Sequence, residues 1–127
     1  MPDPRRAIGA LGERLAADHL RRAGYRIVER NYRTRYGELD LVADCDECIV
    51  FCEVKTRVVG RANGPAALDA IGVDKRRRVR AMAAQWLSER RAAVSQPWRD
   101  EMRFDAIGVD ISPTGRLLAL QHLEDAF

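Results

Sequence analysis

The sequence predicts an α/β (α+β) fold, with a mixed central sheet of about five strands flanked by helices in the order αβββαββ. Three observations predict it. Two stretches carry apolar residues at helical spacing, and five short β-prone segments are bounded by turn residues. The second helical stretch is also long enough to cross over between two parallel strands.

The first helix is expected over residues 5–23. Ile8, Leu11, Leu15, Ala16, Leu20 and Ala23 form its stripe, and Gly24 stands where a C-terminal stop belongs. Tyr25–Tyr32 reads as a strand and Arg33–Gly37 as a basic turn. Glu38–Ala43 is the second strand, Asp44–Glu47 a polar turn, and Cys48–Thr56 the most apolar strand. Gly60–Pro65 reads as a loop. Asp74 is a candidate N-cap for a second helix ending near Arg91, with Val79, Met82, Ala83, Trp86 and Leu87 on its apolar face. After a loop over 92–101, Phe104–Ile111 and Leu117–Leu123 are two strands joined by a turn at Ser112–Gly115.

At 127 residues, 46% hydrophobic and 32% charged, the chain reads as one domain, 1–127, with one core. No apolar run approaches the roughly 20 residues that span a bilayer, and no signal-like stretch follows the polar N-terminus, so a cytoplasmic location is expected. The net charge of +3 is mild. Its distribution is more informative: Lys75-Arg76-Arg77-Arg78 is a dense basic run that suits phosphate contacts, whereas the scattered arginine pairs read as solvated helix faces. The odd set Cys45, Cys48 and Cys52 argues against a disulfide framework. Cys45 and Cys48 have the spacing of half a zinc site, but no second pair follows.

Strand phase gathers the chemistry. Glu53 and Lys55 share one face of their strand, and Glu38 and Asp40 share one face of theirs, with Leu39 and Leu41 pointing away. If Asp46 and Glu47 form a two-residue loop, Cys45 pairs with Cys48, Asp40 with Glu53 and Glu38 with Lys55. All four polar side chains then stand on one face, about 5 Å apart at Cβ across each pair. Clustered carboxylates repel one another and call for a cation; Mg²⁺ or Mn²⁺ fits an oxygen-rich site. A metal with a nearby lysine is the minimal equipment for hydrolysing a phosphodiester. Read blandly, Glu38 and Lys55 are a surface ion pair worth under about 1 kcal/mol.

Gly37-Glu38-Leu39-Asp40-Leu41-Val42-Ala43 and Val50-Phe51-Cys52-Glu53-Val54-Lys55-Thr56-Arg57 resemble the YraN family of small bacterial proteins. So do Gly12-Glu13, Gly24-Tyr25, Asn31-Tyr32-Arg33, Lys75, Arg103-Phe104-Asp105 and Ala126-Phe127. The resemblance implies a restriction-endonuclease-like fold similar to archaeal Holliday-junction resolvases. It implies a catalytic set of Glu13, Asp40, Glu53 and Lys55, with Glu13, Asp40 and Glu53 as metal ligands. The superfamily often has proline before the aspartate, where this chain has Leu39. Glu38 and Asp105 are accessory candidates, with Asp105 read as mainly structural. Arg57 and Lys75–Arg78 are the candidate nucleic-acid contacts.

The expected function is a metal-dependent DNA endonuclease acting on branched or single-stranded DNA. The alternative is a non-catalytic nucleic-acid-binding module or an accessory subunit of a DNA-processing complex. The expected partner is nucleic acid, DNA above RNA, and a homodimer is compatible with the sequence.

Overall fold

A computed structural model of the chain describes residues 4–45, 48–60, 73–93 and 101–126. The expected loops at Asp46–Glu47 and 61–65, the side chain of the N-cap candidate Asp74, the connection over 94–100 and the closing Phe127 lie outside the described residues. The elements are α1 (Pro4–Arg22), β1 (Arg26–Thr34), β2 (Gly37–Asp44), β3 (Ile49–Val58), α2 (Val73–Ala93), β4 (Met102–Ile111) and β5 (Leu117–Leu123). This is the predicted α+β order.

The five strands form one sheet in the order β1-β2-β3-β4-β5. Neighbours are antiparallel except β3 and β4, which run parallel from Ile49↔Met102 to Val58↔Ile111. That exception is the one the sequence allows, because α2 supplies the crossover. Each helix covers one face. Ala16, Ala17 and Leu20 of α1 pack on Leu41, Val50, Cys52, Ile107 and Val109. On the other face Val79, Met82, Ala83 and Trp86 of α2 pack on Leu39, Val42, Phe51 and Phe104. Residues Ile49–Cys52 of β3 are buried on both faces, which is why the segment reads as a continuous apolar run rather than an alternating one. Phe51 sits at the centre of the α2 side, edge-on to Trp86 at 5.8 Å and stacked on Phe104 at 5.5 Å.

The end of α1 follows from Gly24. Its φ of +94° is left-handed, and the turn closes with Tyr25 N–H donating to Leu20 O at 2.9 Å and Gly24 N–H to Arg21 O at 3.0 Å. Gly12 has a different reason. A Cβ there would lie 1.7 Å from Thr56 Oγ1 and 2.8 Å from Thr56 Cβ, so α1 can reach β3 this closely only without a side chain. Gly12→Ala is therefore expected to cost about 3 kcal/mol, the overpacking regime, read as a lower midpoint in urea. Thr56→Gly in the same chain should recover much of the loss. An unchanged midpoint in Gly12→Ala would refute the close approach. No described helix is long and apolar enough to cross a membrane.

Candidate metal centre

The β2–β3 pairing has the predicted register. Cys45 N–H donates to Cys48 O at 3.2 Å, and pairs run from Asp44↔Ile49 to Leu41↔Cys52. The strands then part. At the next position Asp40 replaces the backbone rung with its side chain, and Val54 N–H donates to Asp40 Oδ2 at 2.7 Å. The predicted Asp40–Glu53 and Glu38–Lys55 pairings do not form, because the ladder ends at Leu41↔Cys52, before it reaches those residues.

The expected one-face arrangement also changes, for a local reason. Leu39 is buried on the α2 side and Leu41 on the α1 side. Residues two apart in a regular strand share a face, so the alternation slips at Asp40. The slip is matched in β1, where Tyr32↔Leu39 and Arg30↔Leu41 flank Asn31. Asn31 has a φ of +50°, a left-handed conformation that asparagine tolerates better than most residues. Beyond the slip, Tyr32 reaches α2 through a 2.6 Å bond to Glu89, while Glu38 faces α1.

Glu13 meets it there. Oxygens of Glu13, Glu38 and Asp40 all lie within 4.8 Å of one another. The Asn31 amide bridges two of them, donating to Glu13 Oε2 and Glu38 Oε1 at 2.7 Å each. Arg33 approaches the other oxygen of Glu38 at 3.4 Å. Glu13 stands between two clefts. One, of about 500 Å³, is lined by Leu11, Arg14, Arg30 and Asn31, and the other, of about 290 Å³, by Arg5, Gly9, Val54 and Thr56. Burial pushes the Asp40 carboxyl up to about 8; the charges of Glu53 and Glu13 add to the rise, and the Val54 N–H opposes it.

Glu53 is 4% exposed. Lys75 of α2 holds its Oε1 at 2.5 Å, while the buried Oε2 has no hydrogen-bond partner among the described residues. A carboxylate oxygen left unpaired in the interior is costly, and a cation would relieve it. The donors are all hard oxygens, which suits a hard cation and not a soft-ligand metal. The residues present therefore fit a divalent ion.

The structure thus brings Glu13, Glu38 and Asp40 together, with Glu53 near enough for its charge to act on Asp40. Lys55 is half-buried on β3, and no ion pair among the described residues involves it. Of the predicted nucleic-acid contacts, Arg76, Arg77 and Arg78 are exposed. Lys75 is turned onto Glu53. Arg57 is held by Asp110, its parallel neighbour, through bonds of 3.2 and 2.9 Å. Asp105 is remote from the cluster in its bonding. It is fully buried and accepts from two guanidinium nitrogens of Arg103, from His122 and from Asp125 N–H. Asn31 is the site residue that phase reasoning missed. Its signal was an asparagine inside a predicted strand, a residue type depleted from strands and suited to a local backbone irregularity.

The comparisons with known proteins agree with the resemblance in the sequence. The description "Uncharacterised protein family UPF0102", the YraN family, matches residues 12–109. Among relatives, a UPF0102 protein of Mycolicibacterium gilvum (strain PYR-GCK) is 44% identical over 124 residues, covering 96% of this chain and 94% of its own length. One from Rhodococcus opacus (strain B4) is 43% identical over 121 residues, covering 95% and 96%. One from Alkaliphilus oremlandii (strain OhILAs) is 39% identical over 120 residues, covering 94% and 97%. With the match spanning the helix that carries Glu13 and the strands that carry Asp40 and Glu53, the chain belongs to the UPF0102 family.

Proposed function

We propose that this chain is a divalent-metal-dependent nuclease that hydrolyses phosphodiester bonds in branched or single-stranded DNA. The observation that carries this reading is the meeting of Glu13, Glu38 and Asp40 where β2 and β3 part, beside a buried glutamate with an unpaired oxygen. Solvated surface charges account for neither feature. A module that only binds nucleic acid gains nothing from carboxylates set against phosphates.

Asp40, Glu13 and Glu53 would hold Mg²⁺ or Mn²⁺, with Glu38 as a further oxygen donor. When bound, such an ion supplies an acidified water and neutralises charge on the phosphate. The chain's own groups do the rest. Val54 N–H fixes the Asp40 carboxylate in the strand gap. Asn31 holds Glu13 and Glu38 side by side, so that few conformations need be lost on binding. Lys75 holds one oxygen of Glu53 and leaves the other available. Lys55 is the group left to orient a water or meet the phosphoryl oxygens. Arg76, Arg77 and Arg78 on the exposed face of α2 would contact the DNA backbone.

The test is incubation of purified protein with forked, junction, single-stranded and duplex DNA, with and without Mg²⁺ or Mn²⁺, beside Asp40→Ala and Lys55→Ala. Metal-dependent cleavage lost in both variants is expected. Cleavage absent from the wild type, or unchanged in both variants, refutes the enzyme reading. Binding without cleavage would favour the binding-module alternative.

The basic run makes a separate expectation. Replacing Arg76, Arg77 and Arg78 together with Ala should weaken DNA binding across sequences. It should also reduce the slope of log affinity against log salt by about 0.9 per lost duplex phosphate contact. An unchanged slope would show that the DNA lies elsewhere.

A further inference from the structure

We propose that Cys45 and Cys48 are a reversible dithiol–disulfide pair that covalently closes the β2–β3 hairpin. The two sulfurs are 3.1 Å apart in the reduced chain, and Cys45 N–H donates to Cys48 O at 3.2 Å. Cys45 continues β2 and Cys48 leads into β3, so the hairpin register already sets the two residues side by side. A disulfide bond is about 2.0 Å long, so the sulfurs need only about 1 Å of approach, within reach of small χ1 rotations. Cys52 is a contrast. It is 1% exposed on β3 and packs into the α1-side core, so no small oxidant reaches it in the folded chain.

The two thiols differ in a way that orders the chemistry. Cys45 is partly exposed and Cys48 is buried, so Cys45 is the entry point. Its thiolate attacks one sulfur of a small-molecule disulfide, such as glutathione disulfide. A mixed disulfide forms at Cys45 and one small thiolate leaves. Cys48 then loses its proton to solvent and attacks the Cys45 sulfur. The intrachain bond forms and the second small thiolate leaves. Two protein thiols are oxidised and one small disulfide is reduced to two thiols. Burial pushes the Cys48 thiol up to about 12, and the hydrogen bond and charge of Cys45 add to the rise. Those last two contributions vanish once Cys45 carries the mixed disulfide, which eases the second step. When small thiols are in excess, two of them reverse the reaction: one thiolate breaks the intrachain bond to give a mixed disulfide, and the second attacks that bond, leaving two protein thiols and one small disulfide.

The pair lies at the closed end of the hairpin, and Asp40 and Glu53 lie toward its open end. Oxidation is thus expected to raise the melting temperature by a few degrees without occupying the carboxylate cluster. The inference does not depend on nuclease activity.

The test uses the full chain, equilibrated in glutathione buffers from reduced to oxidised, acid-quenched and alkylated in denaturant. At the reduced end all three cysteines should take the label. At the oxidised end Cys52 alone should, with the protein two hydrogens lighter. Cleavage after Glu47 then leaves the Cys45 and Cys48 peptides joined until they are reduced. Cys48→Ser, verified as folded by circular dichroism, should stop at a glutathione adduct on Cys45. Three free thiols at every ratio, a wild-type adduct that never resolves, or a bond that involves Cys52 or a second chain would overturn the proposal.

Discussion

Asp40→Asn is expected to abolish divalent-metal binding and any cleavage, while raising the stability of the metal-free protein at alkaline pH. The first half follows from the site. Asp40 is the carboxylate shared between the Glu13–Glu38 side and Glu53, and it lies in the strand gap. Asparagine keeps an oxygen for the Val54 N–H, so the gap should persist, but the negative charge that holds a cation is gone. A loss of at least about 100-fold in metal-dependent rate is expected. The second half follows from linkage. Asp40's folded value of about 8 lies above its ordinary 3.8, so the folded state holds this proton more tightly than the unfolded chain does. The resulting stability is fully present below pH 3.8 and is lost as pH rises through about 8. Metal-free wild type should therefore melt several degrees lower near about pH 9 than near about pH 6. Asp40→Asn should lack this part of the slope. Melting curves in a chelator check it, and identical slopes in the two proteins would contradict the buried, unneutralised Asp40.

Asp105→Ala is expected to be the most destabilising single change, at about 3–5 kcal/mol. Asp105 is the hub of a buried polar network at the C-terminal end of the chain. Arg103 grips it through two nitrogens at 2.9 and 2.8 Å and also bonds Tyr25 Oη at 2.5 Å. His122 reaches it at 2.7 Å and meets His19 of α1 at 3.1 Å. The Asp125 N–H closes the set at 3.0 Å, tying down the segment after β5. Alanine would leave the Arg103 charge and the His122 ring without their acceptor in a largely buried place. Burial would raise the Asp105 carboxyl, but the His122, Arg103 and backbone hydrogen bonds outweigh it and hold it below its ordinary value. With the folded value depressed, its contribution is present above the unfolded value of 3.8 and is lost as pH falls through the lower folded one. Denaturant melts of Asp105→Ala and Asp105→Asn check the claim. The asparagine variant should cost less, since it keeps an acceptor. Wild-type midpoints in both would mean the network carries no stability.

These two residues show what could be read from the chain. Asp40 and Asp105 both come from carboxylates on strands, and their sequence settings look alike. What separates them is tertiary. Asp105 faces an arginine two residues before it and a histidine from the neighbouring strand, so its charge is already balanced. Asp40 faces three more carboxylates, Glu13, Glu38 and Glu53, and its charge is not. Element types and order were legible because periodicity and turn residues speak locally. The β2–β3 register was legible too, since Cys45 and Cys48 flank a two-residue gap.

The arrangement within the site was less so. Period-two counting assumes a regular strand, and the paired slip at Asn31 and Asp40 breaks that assumption at the very residues that matter. Glu38 consequently joins Glu13 instead of facing Lys55. Lys75 reads as part of a basic run that suits phosphate contacts, yet it is turned inward onto Glu53, because α2 crosses that face of the sheet. Glu13 came from the family resemblance alone. The adjoining Gly12, which lets the helix settle onto Thr56, gives the physical reason that a helix glutamate reaches the strand gap.

The central claim is that these carboxylates form a divalent-cation site. A titration of Mn²⁺ into metal-free protein, followed by electron paramagnetic resonance of the free ion, tests it most directly. Saturable binding displaced by Mg²⁺ is predicted in the wild type, at least about tenfold weaker in Glu38→Gln and absent in Asp40→Asn. Binding of equal strength in the wild type and in a folded Asp40→Asn, or no binding to the wild type at all, would contradict it.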